Sequence, residues 1–321
     1  MFVILLEFNL DILDLEMATK QQGFGCMGLS AFYTSAYTTS EEDKIRVFHA
    51  AVDLGITLFN SATFYGELNE VGYGENLRLI KKCLFGIDRS KIKLMVKIGM
   101  DTRCPIEKTG SSWIMRGTPE ELMADVDFAL QSLGEDYLDI AILCRLPPNV
   151  PFEDVMRGLN ALLDSGKVKE VGVSEFSAEN IRKAKELCPI TYIEQEWSLW
   201  TRDIEEEIVP TCRELGIKIV AYSPLGRGFL SGKLKLEELN NNDYRRYGQP
   251  RLAQDNIDEN NKLLQALEEF ASRKNITVGK PSLLRNIKLL FQCVCFLNIT
   301  PHYKKSLLRT LKFCLAIIVT I

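Results

Sequence analysis

Short apolar runs alternate with amphipathic segments along the chain from residue 23 to about residue 235. Runs rich in β-branched residues predict strands, and segments with apolar positions three and four residues apart predict helices. The predicted strands cover residues 23–29, 56–59, 92–97, 137–144, 168–174, 190–196 and 217–222. The predicted helices cover residues 40–54, 70–84, 118–134, 151–165, 177–187, 204–215 and 258–274.

Two of the predicted helices begin at specific capping signals. Ser40 stands three residues before Asp43, which is the spacing at which an N-cap hydroxyl can bond a backbone N–H of the first turn. Pro119 follows Thr118 and suits the first helical position, because a backbone N–H there would have no partner within the helix. These signals predict where the first and third helices start.

The alternation of strands and helices predicts parallel βαβ units. About seven such units follow one another, and no glycine-rich dinucleotide-binding turn follows the first strand. The pattern therefore favours an α/β fold, a (β/α)₈ TIM barrel, over a doubly wound sheet. In such barrels the chemistry lies at the carboxyl ends of the strands. The polar or reactive residues near those ends are Cys26, Asn60, Lys97, Cys144, Ser174, Glu175, Glu194, Tyr222 and Ser223.

Both ends of the chain depart from this pattern. We divide the chain into an atypical segment at 1–22, a barrel at 23–278 and an apolar and basic tail at 279–321. The tail shows no clear eighth strand, so we expect a barrel that is incomplete at its C-terminus. One hypothesis is that both ends derive from unspliced or mis-joined coding sequence. The other is that residues 289–299 supply a substitute strand, since an open barrel would expose unpaired strand edges.

Composition and charge narrow the expected partners and compartment. The net charge of −4 gives no basic excess, so we expect no nucleic-acid partner. The nine cysteines lack zinc-binding spacing, so we expect no metal, and free thiols in the cytoplasm. Residues 1–15 lack the features of a signal peptide, and the apolar run at 311–321 is too short to span a membrane. Composition leaves the oligomeric state open.

Tyr65 and Lys97 lie near the ends of two neighbouring predicted strands. A free tyrosine titrates near pH ~10, and an adjacent ammonium favours the phenolate. We therefore expect Lys97 to lower the pKa of Tyr65, which would make the phenol a proton donor to a carbonyl oxygen near neutral pH. Asn60, which follows the same strand, could accept a hydrogen bond from Lys97 or could serve only in a turn.

Other candidates for the proton donor are weaker. Cys144 ends the fourth strand, where a weak thiol donor and a small buried apolar side chain are equal alternatives. The two histidines, His49 and His302, fall in the first helix and in the tail. We therefore do not expect histidine to act as the acid.

A candidate anion-binding loop follows the seventh strand. Tyr222 offers an aromatic face to a flat ring, and Arg227 offers a positive charge. Gly226 and Gly228 would let backbone amides approach a phosphate closely. The alternative interpretation is an ordinary turn rich in proline and glycine.

Five segments together resemble an aldo-keto reductase. They are Gly-Phe-Gly-Cys-Met-Gly at 23–28, Phe-Asn-Ser-Ala-Thr-Phe-Tyr-Gly at 59–66, Val-Gly-Val-Ser-Glu at 171–175, Glu-Trp-Ser-Leu-Trp-Thr-Arg-Asp-Ile-Glu at 196–205 and Ala-Tyr-Ser-Pro-Leu-Gly-Arg-Gly at 221–228. The resemblance covers residues 23 to about 278. It implies a barrel that binds NADPH in an extended form across its mouth, and a catalytic set of Asp, Tyr, Lys and His.

The resemblance assigns Tyr65 and Lys97 directly to that catalytic set. The family's Asp falls on Asn60 and its His on Cys144, while the Gln that usually holds the nicotinamide amide falls on Glu194. With these three exchanges the chain is most similar to the fungal pyridoxal reductase branch. That branch implies reduction of a small aldehyde, pyridoxal, to pyridoxine in vitamin B6 metabolism.

The resemblance also implies a set of cofactor contacts. They are Cys26, Met27, Ser174, Glu175, Glu194, Tyr222, Ser223, Leu225, Gly226 and Arg227. The tail has no counterpart of the segment that usually grips the adenosine 2′-phosphate. Two alternatives therefore stay open: an aldo-keto reductase for another small carbonyl, and a cofactor-binding barrel with little activity, such as a channel-associated subunit.

Overall fold

Parallel strands arranged around a common axis form the centre of the molecule. The computed structural model describes residues 22–104 and 113–282, together with the backbone of residues 293–297. The first seven strands of the barrel are β1 (Gln22–Gly25), β2 (Leu58–Ala62), β3 (Lys93–Ile98), β4 (Leu138–Leu143), β5 (Val168–Ser174), β6 (Tyr192–Glu196) and β7 (Lys218–Tyr222). Each of these strands pairs in parallel with its neighbour in chain order, so the seven predicted strands are confirmed.

A helix follows each of these strands, and the first six of these helices cover the outside of the sheet. The helices are α1 (Glu41–Asp53), α2 (Glu75–Cys83), α3 (Pro119–Leu133), α4 (Phe152–Asp164), α5 (Ala178–Leu187), α6 (Ile208–Glu214) and α7 (Gln254–Arg273). A short helical turn, Thr34–Thr38, precedes α1, and a small antiparallel ribbon joins Met100–Asp101 to Ile114–Met115. Within the described ranges, no helix has both the length and the apolar character needed to cross a bilayer.

A further strand closes the ring of parallel strands. The backbone of β8 (Cys293–Leu297) pairs in parallel with β1 on one side and with β7 on the other. The expectation of a missing eighth strand is therefore corrected, and the alternative of a substitute strand within 289–299 agrees with this pairing. Residues 1–21 of the atypical segment and residues 283–292 and 298–321 of the tail lie outside the described residues.

The packed interior has two layers, one on each face of the strands. The larger layer lies between the sheet and the helices, and it contains the aromatic cluster of Phe24, Phe48 and Phe59. The smaller layer fills the inside of the barrel. Its members are the fully or almost fully buried Leu58, Met95, Ile140, Ile142, Tyr192 and Val220. Because side chains alternate between the two faces of a strand, residues two positions further along point into the same interior.

The structure confirms the capping signals and shifts some boundaries. Ser40 Oγ accepts from the N–H of Asp43 at 3.2 Å, as its spacing predicts. The first strand ends at Gly25, because a turn of 3₁₀ helix follows at Met27–Leu29. α2 begins at Glu75, five residues later than predicted, because Gly74 adopts a left-handed φ of +78° that a helix cannot continue.

The cap of α3 provides a test of local stability. Thr118 Oγ1 accepts from the N–H of Glu121 at 3.3 Å, and the Glu121 carboxylate accepts from the N–H of Thr118 at 3.0 Å. We expect Thr118→Ala to lower the free energy of unfolding by about 1 kcal/mol, because it removes an N-cap acceptor. Urea unfolding measures the change. Thr57→Ala, at an exposed position, is the control, and an equal loss in both variants would contradict the capping role.

Candidate active site

The site residues form the uppermost layer of the barrel interior. Each lies two positions beyond an interior apolar residue on its strand, as Lys97 follows Met95 and Glu194 follows Tyr192. The same relation holds for Asn60, Cys144 and Tyr222. Gln195 points to the opposite face, as the strand alternation predicts, and donates to the carbonyl of Phe176 at 2.9 Å.

The ammonium of Lys97 lies at the centre of this layer. Lys97 Nζ donates to Asn60 Oδ1 at 2.6 Å and lies 3.0 and 3.2 Å from the two carboxylate oxygens of Glu194. Asn60 Nδ2 in turn donates to Glu194 Oε2 at 3.2 Å. The three side chains are almost fully buried. The structure therefore brings together Asn60, Lys97 and Glu194, which come from three different strands.

Tyr65 lies beside this ion pair, with its ring centroid 4.9 Å from Lys97 Nζ. Burial raises the pKa of Tyr65 to about 12, with the Glu194 carboxylate adding to it, although the Lys97 ammonium acts in the opposite direction. The lowering by Lys97 has the expected direction, but burial outweighs it, so the net pKa lies above the ordinary value of a tyrosine. The phenol is thus protonated at neutral pH, which is the state a proton donor needs.

The pKa of Lys97 itself lies above its ordinary value. Burial acts to lower the pKa, but the Glu194 carboxylate and the Tyr65 hydroxyl favour the charged form and outweigh burial. Lys97 is therefore an ammonium throughout the physiological pH range. Its charge is balanced within the site, because the Glu194 carboxylate lies in direct contact.

A buried polar network fixes the loop that carries Tyr65. The carbonyl of Tyr65 accepts from Ser30 Oγ at 3.0 Å and from the N–H of Asn76 at 3.1 Å. The Asn76 amide also donates to the carbonyl of Cys26 at 2.9 Å and accepts from Ser61 Oγ at 2.6 Å. The network connects β2 to the turn after β1, so the main chain at Tyr65 is held from two sides.

Cys144 and Arg145 occupy the neighbouring strand end. Burial raises the pKa of the Cys144 thiol to about 11, although Arg145 and Lys97 favour the thiolate. The thiol is therefore neutral at physiological pH. Arg145 Nη1 donates to the carbonyl of Cys144 at 2.6 Å and to Ser174 Oγ at 3.2 Å. The Arg145 guanidinium thus lies directly beside the Cys144 thiol.

The loop after β7 is held in a strained backbone conformation. Ser223 and Arg227 have φ values of +51° and +55°, a region that non-glycine residues rarely adopt. Gly226 has a φ of +55°, and a Cβ there would lie 2.7 Å from the ring of Trp200. Arg227 Nε is buried without a hydrogen-bond partner among the described residues. Strained backbone conformations that are held in place by surrounding contacts are typical of ligand sites. Buried donors without a hydrogen-bond partner are typical of them too.

These elements enclose one cavity of about 260 Å³ at the carboxyl ends of the strands. The predicted site residues on its wall are Met27, Asn60, Tyr65, Lys97, Cys144, Ser174, Glu194, Tyr222, Ser223 and Arg227. Cys26, Glu175, Leu225 and Gly226 are not among the lining residues. The Cys26 side chain is fully buried in the layer between sheet and helices. Leu225 and Gly226 belong to the same loop as Arg227.

The structure adds lining residues that the sequence did not point to. They are Gly25, Phe32, Tyr33, Phe64, Leu68, Met100, Thr102, Trp113, Arg145 and Tyr244. Several come from loops, where no periodic pattern indicates which side chain faces inward. Two of those loops are joined by Asp243, which accepts from the N–H and the hydroxyl of Thr34 at 2.6 and 2.7 Å. Among these residues, Arg145 had a sequence signal as a charge directly after a buried strand, and Gly25 and Phe64 lie in the segments that resemble the family.

The comparisons with known proteins agree with this geometry. The model of the "Aldo/keto reductase family" matches residues 24–283. This chain belongs to the aldo/keto reductase family. A Glycine max protein named "Probable aldo-keto reductase 1" is 39% identical over 262 residues, which cover 81% of this chain and 71% of that protein. The family consists of oxidoreductases that generally use NAD(P)H.

Solved structures share the fold at low sequence identity. A glycerol dehydrogenase from Gluconobacter oxydans aligns with a TM-score of 0.74 and 21% identity, covering 92% of this chain and 90% of that one. The holo form of an aldo-keto reductase from Bacillus halodurans aligns with a TM-score of 0.69 and 22% identity, covering 94% and 87%. These two likenesses show that the chain shares the barrel-like fold of those proteins.

Two ion pairs that involve lysines of β3 allow a test of how much the buried pair contributes to the free energy of unfolding. Lys97–Glu194 and Lys93–Glu170 both span 3.0 Å, but the first pair is about 5% exposed and the second has a lysine that is 52% exposed. We expect Lys97→Met to destabilise the fold by about 3–5 kcal/mol, because it leaves the Glu194 carboxylate buried without its partner.

The matched control for this prediction is Lys93→Met. We expect that variant to cost less than about 1 kcal/mol, because solvent screens the exposed pair. Urea unfolding of both variants gives the comparison. Equal losses would show that burial does not distinguish the two pairs.

Proposed function

We propose that this aldo/keto reductase reduces a small aldehyde to an alcohol with NADPH, and that the aldehyde is pyridoxal. The observation that carries the proposal is the phenol of Tyr65, held beside the Lys97 ammonium on the wall of the cavity. A neutral hydroxyl next to a buried cation is suited to protonate a carbonyl oxygen as negative charge develops on it.

The residues of the loop after β7 fit a phosphate-bearing cofactor. Arg227 lines the cavity, and its Nε atom is a buried donor without a partner among the described residues. Gly228, with a φ of +99°, shapes the turn beside Arg227, and its N–H donates to the carbonyl of Leu225 at 3.0 Å. Arg227 thus offers a cation to a pyrophosphate. Tyr222 would offer its ring to the nicotinamide, and Ser174 its hydroxyl to the carboxamide.

In the proposed reaction this chain supplies a proton from Tyr65 and a positive charge from Lys97. When bound, NADPH supplies a hydride to the aldehyde carbon. Tyr65 donates its phenolic proton to the aldehyde oxygen, so that an alcohol forms, and takes a proton back from solvent afterwards. Lys97 stabilises the transient phenolate of Tyr65 electrostatically. The surrounding aromatic side chains exclude water from the reacting atoms.

The character of the cavity wall supports a flat, polar, aromatic aldehyde. Phe32, Trp113 and Tyr244 provide aromatic surface on the cavity wall, and Arg145 provides a guanidinium beside Cys144. An aromatic ring with an acidic hydroxyl, such as pyridoxal, matches both features. Cys144 is smaller than a histidine and leaves room for such a ring. The volume of about 260 Å³ lies just below the range of roughly 300–1,000 Å³ typical of ligand pockets, which favours a small substrate.

We place the reaction in the cytoplasm. The described cysteines, Cys26, Cys83, Cys104, Cys144, Cys188 and Cys212, are all free thiols. Free thiols are typical of reducing compartments, which supports this placement.

The second candidate function is a cofactor-binding barrel with little activity, and the observation in its favour is the thiol of Cys144 at the position of the family's histidine.

The role of Tyr65 has a direct test. We expect Tyr65→Phe to reduce aldehyde-dependent oxidation of NADPH by at least about 10²-fold, because the variant lacks the proton that the oxygen must receive. NADPH binding, followed by quenching of tryptophan fluorescence, should be retained. Tyr137→Phe, before β4 at the opposite end of the barrel, is the control. Survival of activity in Tyr65→Phe would exclude the phenol as the acid.

The substrate is tested by comparing pyridoxal with other aldehydes. We expect kcat/KM for pyridoxal to exceed that for aliphatic aldehydes by at least about tenfold, because only an aromatic substrate uses the aromatic wall. The same assay with NADH in place of NADPH measures cofactor preference. Equal values across the panel would favour another carbonyl substrate, and tight cofactor binding without turnover would favour the low-activity barrel.

A further inference from the structure

We propose that Glu194, which reaches Lys97 from across the barrel, is the positioning carboxylate of the site, with Asn60 as its neutral bridge. Glu194 would thus hold and neutralise the ammonium instead of binding the nicotinamide amide. The inference rests on the proposed role of Tyr65 as proton donor. It identifies which side chain sets the charge that Tyr65 experiences.

The contacts of Glu194 carry the inference. Its carboxylate oxygens lie 3.0 and 3.2 Å from Lys97 Nζ, and one of them also accepts from Asn60 Nδ2 at 3.2 Å. The carboxylate is about 5% exposed, so solvent does not screen its charge. Both oxygens of this buried carboxylate are therefore engaged within the trio, by an ammonium and by an amide.

Asn60 and Glu194 form a complementary set of donors and acceptors around one cation. The amide oxygen of Asn60 accepts from Lys97 at 2.6 Å, so its nitrogen is the atom left to donate to Glu194. A second carboxylate at position 60 would lack that donor and would face Glu194 with a like charge. A single negative charge in this trio therefore balances a single positive charge.

Exchanging the two side-chain types preserves this balance. In the double variant Asn60→Asp/Glu194→Gln the carboxylate would be supplied from β2 and the amide from β6. The aspartate could accept from Lys97 and from the new amide nitrogen, while the new amide oxygen could accept from Lys97. Net charge is retained, and each pair among the three side chains keeps a hydrogen bond. Each single variant changes the charge by one unit, in opposite directions.

The charges of Lys97 and Glu194 both act on the pKa of Tyr65. Burial is the largest influence on the pKa of Tyr65, and the Lys97 ammonium lowers that pKa while the Glu194 carboxylate raises it. The thiols of Cys26 and Cys144 also interact electrostatically with Lys97, and the Arg145 guanidinium interacts with Glu194. Both thiols are buried and have raised pKa values, so neither supplies a competing negative charge at neutral pH.

The experiment compares the wild type, the two single variants and the double exchange. We expect each single variant to lower kcat/KM by roughly tenfold or more, and the double exchange to return it to within about threefold of the wild type. Ionisation of Tyr65 in the apo enzyme, followed by NMR of ¹³C-labelled tyrosine between about pH 7 and pH 11, is the second readout. Tyr65→Phe assigns the signal.

The NMR titration has a definite sign. In Glu194→Gln, Tyr65 should begin to ionise within this pH range, because the ammonium is no longer neutralised. In the wild type and in the double exchange it should remain a phenol. Glu170→Gln, which removes the carboxylate paired with the exposed Lys93, is the matched control and should leave both readouts unchanged.

Several outcomes would overturn the inference. One is a double exchange that is no more active than Glu194→Gln, and another is a Tyr65 ionisation that does not respond to Glu194→Gln. Weaker NADPH binding in Glu194→Gln without a change in Tyr65 would assign Glu194 to the cofactor.

If Glu194→Gln does not fold, the double exchange decides, because restored folding supports the ion pair and continued misfolding contradicts it. Activity in Tyr65→Phe would refute the proposed function, whereas the apo titration would still test the ion pair.

Discussion

The ammonium of Lys97 is buried at the centre of the barrel mouth, and the architecture around it follows from the need to satisfy that charge. A cation removed from water must be paired and fully hydrogen-bonded, or it loses its proton. Here a carboxylate from β6 and an amide from β2 meet it within 3.2 Å. Because these partners come from separate strands, the site exists only once the strands are assembled into a ring.

The layered interior of the barrel explains how such a group can be tolerated. Below it, Met95 and Tyr192 fill the lumen with apolar side chains, and one step above them Lys97 and Glu194 introduce charge. The period of two along each strand delivers both layers from the same short segments. Above the charged layer, loops in strained conformations, such as the one carrying Ser223 and Arg227, form the walls of the cavity.

Short-range sequence patterns predicted most helices and strands of the fold. They failed for elements whose position depends on contacts between distant parts of the chain. The caps at Ser40 and Thr118 and the order of seven strands follow from short-range pattern. The pairing of Cys293–Leu297 with β1 and β7 does not, because closure of a ring depends on strands that are distant in sequence. In the same way, loop residues such as Trp113 carry no periodic signal that places them on the cavity wall.

The sequence by itself determined the family, the alternation of elements and the presence of Tyr65 and Lys97 at neighbouring strand ends. Only the tertiary structure decided what surrounds them. The carboxylate opposite Lys97 is 97 residues away in the chain and belongs to a strand separated from β3 by two others. Burial, which depends on the whole assembled fold, set the pKa of Tyr65 to about 12 where adjacency to a lysine alone predicted a lower value. Adjacency is local and readable from sequence, whereas desolvation and charges that meet across the barrel arise only when the ring of strands closes.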